Sequence, residues 1–108
     1  MTSVNGRPSP SNGMDQDGNG YLALPPSGRG PGVLVLHPWW GLNGFVRELC
    51  DRFAGEGFVA SAPDLYEGEM TSDIERAREL SSSLDTERAG RRVTSALSRL
   101  LEIGRAHV

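Results

Sequence analysis

Two apolar runs with an amphipathic segment between them constrain the fold of this chain more than any other feature. Residues 33–36 are continuously apolar rather than alternating, which is typical of a strand buried on both faces of a parallel sheet. Residues 58–63 form a second buried strand. Because a crossover helix joins the two strands, the handedness rule predicts that they are parallel. The sequence therefore predicts an α/β fold, with a mostly parallel sheet and crossover helices.

The segment between the two strands has the spacing of a helix that packs one face on a core. Its apolar positions follow the i, i+3, i+4, i+7 pattern: Val46, Leu49, Cys50 and Phe53. Asn43 is a suitable N-cap, because its side chain can accept a hydrogen bond from a backbone N–H of the first turn. Gly55 or Gly57 is expected to end the helix.

A tight turn is predicted at residues 15–20, DQDGNG, ahead of a short strand over residues 21–24, since Asp-Gly and Asn-Gly favour positive φ angles. The same residues match the first half of a calcium-binding loop. The twelfth position of such a loop should be a bidentate Glu, and here it is Pro26. We therefore expect a plain turn and no metal site.

Two further helices are predicted after residue 70. Ser72 and Glu75 form a capping box for a helix that runs to about residue 84. Its thin apolar face consists of Ile74, Ala77 and Leu84. Asp85 can cap a final helix, which indicates another buried sheet face. The apolar stripe of this final helix consists of Val93, Ala96, Leu97 and Leu100.

The two ends of the sequence differ in character from its centre. Residues 1–14 are rich in Ser, Asn, Gly and Pro, so we expect a disordered leader. Residues 103–108, IGRAHV, continue no pattern, and their back-translation can match the start of a sequencing adapter, so we interpret them as an artefactual tail. Residues 15–102 would then carry the N-terminal half of a larger domain, since three strands are too few for these helices.

Composition argues against several classes of function. The net charge is −3, and the 11 basic residues are all Arg, scattered among 14 acidic residues, so we predict no partner among nucleic acids or membrane surfaces. One Cys and two His residues are too few for a disulfide framework or a zinc site. Neither a signal peptide nor a run of about 18 apolar residues is seen, so we predict a cytoplasmic protein.

Two loops are the candidates for a functional site, because ligands of open α/β sheets bind beyond the carboxyl ends of the strands. They are residues 37–42 and the loop after Pro63. The first loop continues as HPWWGLNG and lacks the G-x-G-x-x-G pattern. We therefore predict no dinucleotide and no other cofactor.

Three reactive side chains near these loops have structural interpretations. His37 follows a buried strand, and we expect a structural imidazole rather than a catalytic base. Cys50 lies on the apolar helix stripe, with no helix N-terminus or cation to lower its pKa, so we expect an inert core thiol. Asp64 ends a strand and is expected to cap the next turn.

The motif LHPWWGLN, the helix that follows it and the strand end APDLY resemble the N-terminal half of dienelactone hydrolase family proteins, which have the α/β-hydrolase fold. The resemblance runs from about residue 20 to residue 101 and includes the start GYLALP. It implies hydrolysis of an ester or lactone through a Cys-Asp-His triad, typically on a small dienelactone that bears a carboxylate. It also implies that the triad follows the last helix, so that this chain carries none of the three residues.

The resemblance assigns roles to the first loop. The backbone N–H of Trp39 matches one of the two oxyanion-hole donors of such hydrolases. Trp40 matches an aromatic residue that lines the substrate pocket. Trp39 and Trp40 are therefore candidate substrate-binding residues, and packing under the helix is the alternative for their side chains.

Two positions depart from the family pattern. Pro38 stands where the founding members carry a Glu that contacts the nucleophile, which puts the preference for dienelactone in doubt. Ile74 stands where the family has an Arg for the substrate carboxylate, and Arg76 or Arg78 could substitute for it.

The sequence thus predicts a fragment of a dienelactone-hydrolase-like enzyme for a small-molecule ester or lactone. It is expected to be inactive in this truncated form, because no Ser or Cys lies in a G-x-[SC]-x-G turn. Two alternatives stay open: a fragment of a Ser esterase or peptidase of the same fold, and a non-catalytic α/β module that binds a small molecule. The substrate, the nucleophile and the oligomeric state also stay open.

Overall fold

The computed structural model describes residues 11–14 and 20–105. Within these ranges the elements are β1 (Ser11–Met14), β2 (Gly20–Leu24), β3 (Gly32–Leu34), α1 (Gly44–Gly55), β4 (Val59–Pro63), α2 (Ile74–Ser82) and α3 (Thr86–Arg105). None of the helices described there has both the length and the apolar character that a bilayer-spanning segment requires.

The strands form one sheet in the order β1-β2-β4-β3. Strand β3 pairs with β4 in parallel, with Gly32 opposite Val59 and Leu34 opposite Ser61. This confirms the parallel pairing predicted across α1. Strand β2 pairs antiparallel with both β1 and β4. The predicted α/β class is therefore confirmed, with a mixed sheet in the described part of the chain.

Strand β4 lies at the centre of the core. Its five residues are all buried. Ala60 and Ala62 pack with the buried side of α1, so the alternation of side chains turns Val59 and Ser61 to the other face. Helix α3 contacts both β3 and β4. A Cβ atom on Gly32, which lies opposite Val59, would contact Leu100 of α3, so α1 and α3 cover opposite faces of the sheet.

Strand β3 is shorter and more exposed than predicted. It ends at Leu34, although the Val35 N–H still donates to the Ser61 carbonyl at 2.9 Å. Leu36 is 58% exposed. The prediction that this strand is buried on both faces is wrong because β3 lies at an edge of the described sheet, with β4 as its one neighbour there.

Helix α1 has the predicted N-cap and core-facing stripe. The Asn43 side chain accepts a hydrogen bond from the Val46 N–H at 3.2 Å. After the helix, Gly57 has a φ of 98°, and the Phe58 N–H donates to the Phe53 carbonyl at 3.0 Å. A left-handed glycine permits this closure of the last turn. The stripe consists of buried and partly buried residues: Val46, Leu49, Cys50, Phe53 and Ala54.

The predicted disordered leader, residues 1–14, overlaps the described residues at Ser11–Met14, and the leader as a whole stays a prediction. Ser11–Met14 form β1 and pair with residues 21–24 of β2. Strand pairing is made by backbone hydrogen bonds and needs no apolar side chains, so the polar composition was a poor guide. Residues 1–10 and the turn residues 15–19 lie outside the described residues. The domain limits at residues 15 and 102 stay a prediction.

The N-cap of α2 differs from the predicted capping box. Asp73, not Ser72, accepts a hydrogen bond from the Glu75 N–H, at 3.4 Å. The helix ends at residue 82 rather than about residue 84. Ile74, the first residue of the helix, is 55% exposed and does not belong to the buried face. The helix buries Ala77 and Leu80.

Helix α3 begins after the predicted cap. The Asp85 carboxylate accepts hydrogen bonds from the N–H groups of Arg88, at 3.1 Å, and Glu87, at 3.0 Å. These bonds, the one from Arg88 above all, lower the pKa of Asp85. The helix runs on to Arg105, so residues 103–105 do continue a pattern, because extending an existing helix costs little. Residues 106–108 lie outside the described residues, and the origin of the tail stays a prediction.

Candidate active site

The two candidate loops lie side by side at one edge of the sheet. The first follows β3 and leads into α1, and the second follows β4 and leads into α2. Because β3 and β4 are parallel neighbours, their carboxyl ends meet at the same edge. A β-bridge between Gly41 and Met70 joins the loops, as does a 3.1 Å hydrogen bond from the Thr71 N–H to the Trp40 carbonyl. The loops therefore form one structural unit.

Residues 38–41 form a tight turn, called here the Pro-Trp-Trp-Gly turn. The Gly41 N–H donates to the Pro38 carbonyl at 3.0 Å, and Gly41 has a φ of 98°. A Cβ atom on Gly41 would lie 2.6 Å from the carbonyl oxygen of Glu69 in the second loop. Only glycine fits there, so this residue lets the two loops approach each other.

The backbone N–H of Trp39 lies in the first half of this turn. Among the hydrogen bonds between described residues, none has this N–H as its donor. A backbone donor that is held in a fixed turn and left without a protein acceptor can serve a ligand oxygen. The N–H lies where the sequence places an oxyanion donor, beyond the carboxyl ends of the strands, and its role stays a prediction.

The two indoles of the turn differ in exposure. Trp39 is 40% exposed. The Nε1–H of its indole donates to the Ser81 hydroxyl of α2 at 2.9 Å. Trp40 is partly buried, and the two rings are 5.7 Å apart with a 60° tilt. The Trp39 ring therefore offers an apolar surface whose polar atom is already satisfied, which suits contact with an apolar part of a ligand.

His37 is held by two hydrogen bonds and a ring contact. Its Nε2 accepts a hydrogen bond from the Leu65 N–H at 3.0 Å, so the neutral ring carries its proton on Nδ1. Nδ1 donates to the Pro38 carbonyl at 2.9 Å. The ring also lies 4.8 Å from the Tyr66 ring. Both nitrogens are occupied, which confirms the prediction of a structural imidazole.

Asp64 and Cys50 also have the structural roles predicted for them. The Asp64 carboxylate accepts hydrogen bonds from the Tyr66 N–H, at 3.1 Å, and the Gly68 N–H, at 2.9 Å, and so caps the turn after β4. Cys50 is fully buried. Burial, and to a smaller extent the charge of Asp51, raises the pKa of its thiol to about 11. The thiol is therefore protonated near neutral pH and is not a nucleophile.

No metal centre is found in the described part of the chain, since no three His, Cys, Asp or Glu side chains gather there in a way that could hold an ion. Both nitrogens of His37 already have hydrogen-bond partners. The backbone N–H of Trp39 and the two indoles stay the candidate functional features of this edge.

The comparison that decides the family concerns most of the chain. A family model described as the dienelactone hydrolase family matches residues 19–106. This chain belongs to the dienelactone hydrolase family. The matched range includes both candidate loops and all three helices. It confirms the resemblance drawn from the loop, helix and strand motifs.

Individual proteins are similar to this chain over a shorter part of it. Protein usf of Aquifex pyrophilus is 50% identical over 68 residues, which are 60% of this chain and 29% of that protein. The carboxymethylenebutenolidase of a Pseudomonas species is 38% identical over 78 residues, 62% of this chain and 33% of that protein. A solved structure named m3DLH is 34% identical with a TM-score of 0.58, over 78% of this chain and 35% of that one. The chain spans about a third of the length of these relatives, less than the predicted half.

Of the two arginines near Ile74, Arg76 is hydrogen-bonded to neighbouring carboxylates, and Arg78 forms a looser ion pair with Glu75, at 3.9 Å. Arg76 donates to Glu69 through Nε, at 3.1 Å, and Nη2, and to Glu79 through Nη1, at 2.9 Å. These bonds, the pair with Glu69 above all, raise the pKa of Arg76. Its guanidinium group is thus already satisfied by two carboxylates, which argues against a role for it in binding a substrate carboxylate.

Sequence reasoning did not find Ser81, which the structure places against Trp39. The two residues are 42 positions apart, and Ser81 lies in a run of three serines with no distinguishing pattern. Its spacing of four residues from the buried Ala77 is the one local signal, because it puts Ser81 on the inner side of α2.

Proposed function

We propose that this chain provides the oxyanion-hole side of the active site of a cytoplasmic hydrolase for a small ester or lactone. The observation that carries the proposal is the anchored Pro-Trp-Trp-Gly turn, which leaves the Trp39 N–H without an acceptor among the described residues. Membership of the dienelactone hydrolase family supports the type of reaction, as does the carboxymethylenebutenolidase name of one relative.

The proposed role of the Trp39 N–H follows from how charge develops in ester hydrolysis. When a nucleophile attacks the substrate carbonyl, the carbonyl oxygen becomes negatively charged. A fixed N–H donor stabilises this charge more in the transition state than in the ground state, which raises kcat. In this fold a second donor comes from the residue after the nucleophile. The Trp39 and Trp40 rings would form part of the apolar pocket wall beside the first donor.

The 108-residue chain is proposed to be inactive by itself. Its sequence contains no Ser or Cys in the G-x-[SC]-x-G pattern that presents a nucleophile at a strand-to-helix turn. The one cysteine, Cys50, is buried with a pKa of about 11. The donor turn is therefore present without the group that would attack the substrate.

Two substitutions of Trp39 separate the role of its backbone N–H from that of its side chain. Both are made in the full-length protein encoded by the reading frame that contains this chain. Trp39→Pro deletes the N–H, and proline is favoured at the second position of a tight turn, so the turn is retained. We expect kcat for p-nitrophenyl acetate to fall about 100- to 1,000-fold. Trp39→Ala keeps the N–H, and we expect mainly a rise in KM. Equal kcat values for the two variants would contradict the role of the N–H.

A serine nucleophile is the alternative that one observation favours. Pro38 stands where the founding members of the family carry the Glu that contacts their cysteine nucleophile. A cysteine nucleophile would therefore lack this carboxylate contact here. The coding sequence downstream of codon 102 distinguishes the two cases. A G-x-C-x-G pattern would support the cysteine hydrolase, and G-x-S-x-G would support a serine esterase or peptidase of the same fold.

A further inference from the structure

Ser81 connects helix α2 to the Pro-Trp-Trp-Gly turn. Its hydroxyl oxygen accepts the hydrogen bond from Trp39 Nε1 at 2.9 Å, across 42 residues of sequence. We propose that Ser81 is a positioning residue that fixes the Trp39 indole as a wall of the substrate pocket. This inference rests on the proposed hydrolase function and adds a residue that determines how tightly the substrate is bound.

The neighbouring serines show that this use of a hydroxyl is specific to Ser81. Ser82 and Ser83 donate to the carbonyls of Arg78 and Glu79 of their own helix, each at 2.7 Å. The Ser81 hydroxyl donates to the Arg78 carbonyl over a longer distance, 3.4 Å, and its oxygen accepts the hydrogen bond from the indole. Ser81 and Ser82 thus share a carbonyl acceptor in their own helix, and Ser81 is the one of the two that also bonds to Trp39.

Packing holds the indole only in part. Trp39 is 40% exposed, and its ring contacts the Trp40 ring at 5.7 Å in a tilted arrangement. A hydrogen bond from the indole nitrogen fixes the orientation of an aromatic side chain that packing leaves partly free. A wall that is already in place when the substrate arrives loses less conformational entropy on binding.

The backbone of the turn is held independently of Ser81. The Gly41 N–H donates to the Pro38 carbonyl, and the Thr71 N–H donates to the Trp40 carbonyl. The bridge between Gly41 and Met70 adds a third connection to the second loop. Removing the Ser81 hydroxyl should therefore loosen the indole and leave the Trp39 N–H in place. The expected signature is a change in KM with little change in kcat.

The experiment compares three variants with the wild type in the full-length reading frame, using p-nitrophenyl acetate as the substrate. Ser81→Ala removes the acceptor of the indole N–H, and we expect KM to rise about threefold to tenfold with kcat nearly unchanged. Ser81→Thr keeps a hydroxyl and should restore KM. Ser82→Ala is the matched control, because it removes only a hydrogen bond within α2, and it should behave as wild type.

The outcomes separate the inference from the function on which it rests. A KM that rises for Ser81→Ala, recovers in Ser81→Thr and does not change in Ser82→Ala supports the inference. If the wild type is active and Ser81→Ala and Ser82→Ala have equal KM values, the inference is wrong and the proposed hydrolase function is unaffected. The same holds if Ser81→Ala lowers kcat and does not change KM. A full-length wild type that does not hydrolyse the ester overturns the proposed function, and the inference with it.

Discussion

Gly41 determines whether the Pro-Trp-Trp-Gly turn can form against the second loop. Its φ of 98° lies in the left-handed region, and a Cβ atom would stand 2.6 Å from the backbone oxygen of Glu69, which cannot move aside as a side chain could. We expect Gly41→Ala to lower the free energy of unfolding by about 2 kcal/mol or more. Urea unfolding followed by circular dichroism measures this change.

Gly44→Ala is the control for that substitution. Gly44 begins α1, and a Cβ atom there would have no neighbour within 4 Å. Alanine is the better helix former, so the variant should be as stable as the wild type or up to about 1 kcal/mol more stable. If both variants unfolded at the same urea concentration as the wild type, Gly41 would not be a steric requirement of the turn.

At the residue scale, the sequence predicts the roles that depend on near neighbours. Asp64 caps a turn within four residues of itself, and Cys50 is buried because its helix stripe is apolar. The contact between Trp39 and Ser81 is different in kind. It depends on how α2 packs beside the first loop, and no pattern within either segment contains that information.

At the element scale, the position of the α2 N-cap can be tested directly. Ser72 and Asp73 are both residue types that cap helices, but the Glu75 N–H bonds to Asp73. We expect Asp73→Ala to lower the free energy of unfolding by about 0.5–1 kcal/mol. Ser72→Ala should have almost no effect on the urea midpoint. The reverse order of the two effects would restore the capping box predicted from the sequence.

Elements defined by local signals were predicted better than elements defined by pairing. Helix α1 has its N-cap at Asn43 and its left-handed glycine at Gly57, both visible in the sequence. Strand β1 is polar and was missed, because its stability comes from backbone hydrogen bonds to β2. The burial of the apolar strand β3 was overestimated, because the burial of a strand depends on its neighbours in the fold and β3 lies at an edge of the described sheet.

At the scale of the whole molecule, the described fold leaves several large apolar residues exposed. The edge strand β3 leads to Leu36, which is exposed, and Leu97 and Leu101 of α3 are exposed as well. The chain spans about a third of the length of Protein usf, the Pseudomonas carboxymethylenebutenolidase and m3DLH. These properties agree with the proposal that this chain is one part of a hydrolase. A non-catalytic binding module is the alternative at this scale.

Hydrolysis of p-nitrophenyl acetate by two proteins tests most directly whether the 108-residue chain is an inactive part of a hydrolase. One protein is the purified chain, and the other is the full-length reading frame that contains it, each measured against its own heat-treated control. We predict that the chain is indistinguishable from its control and that the full-length protein hydrolyses the ester well above its control. Activity of the 108-residue chain would contradict the claim that it lacks a nucleophile. Inactivity of the full-length protein would contradict the proposed hydrolase function and favour the non-catalytic binding module.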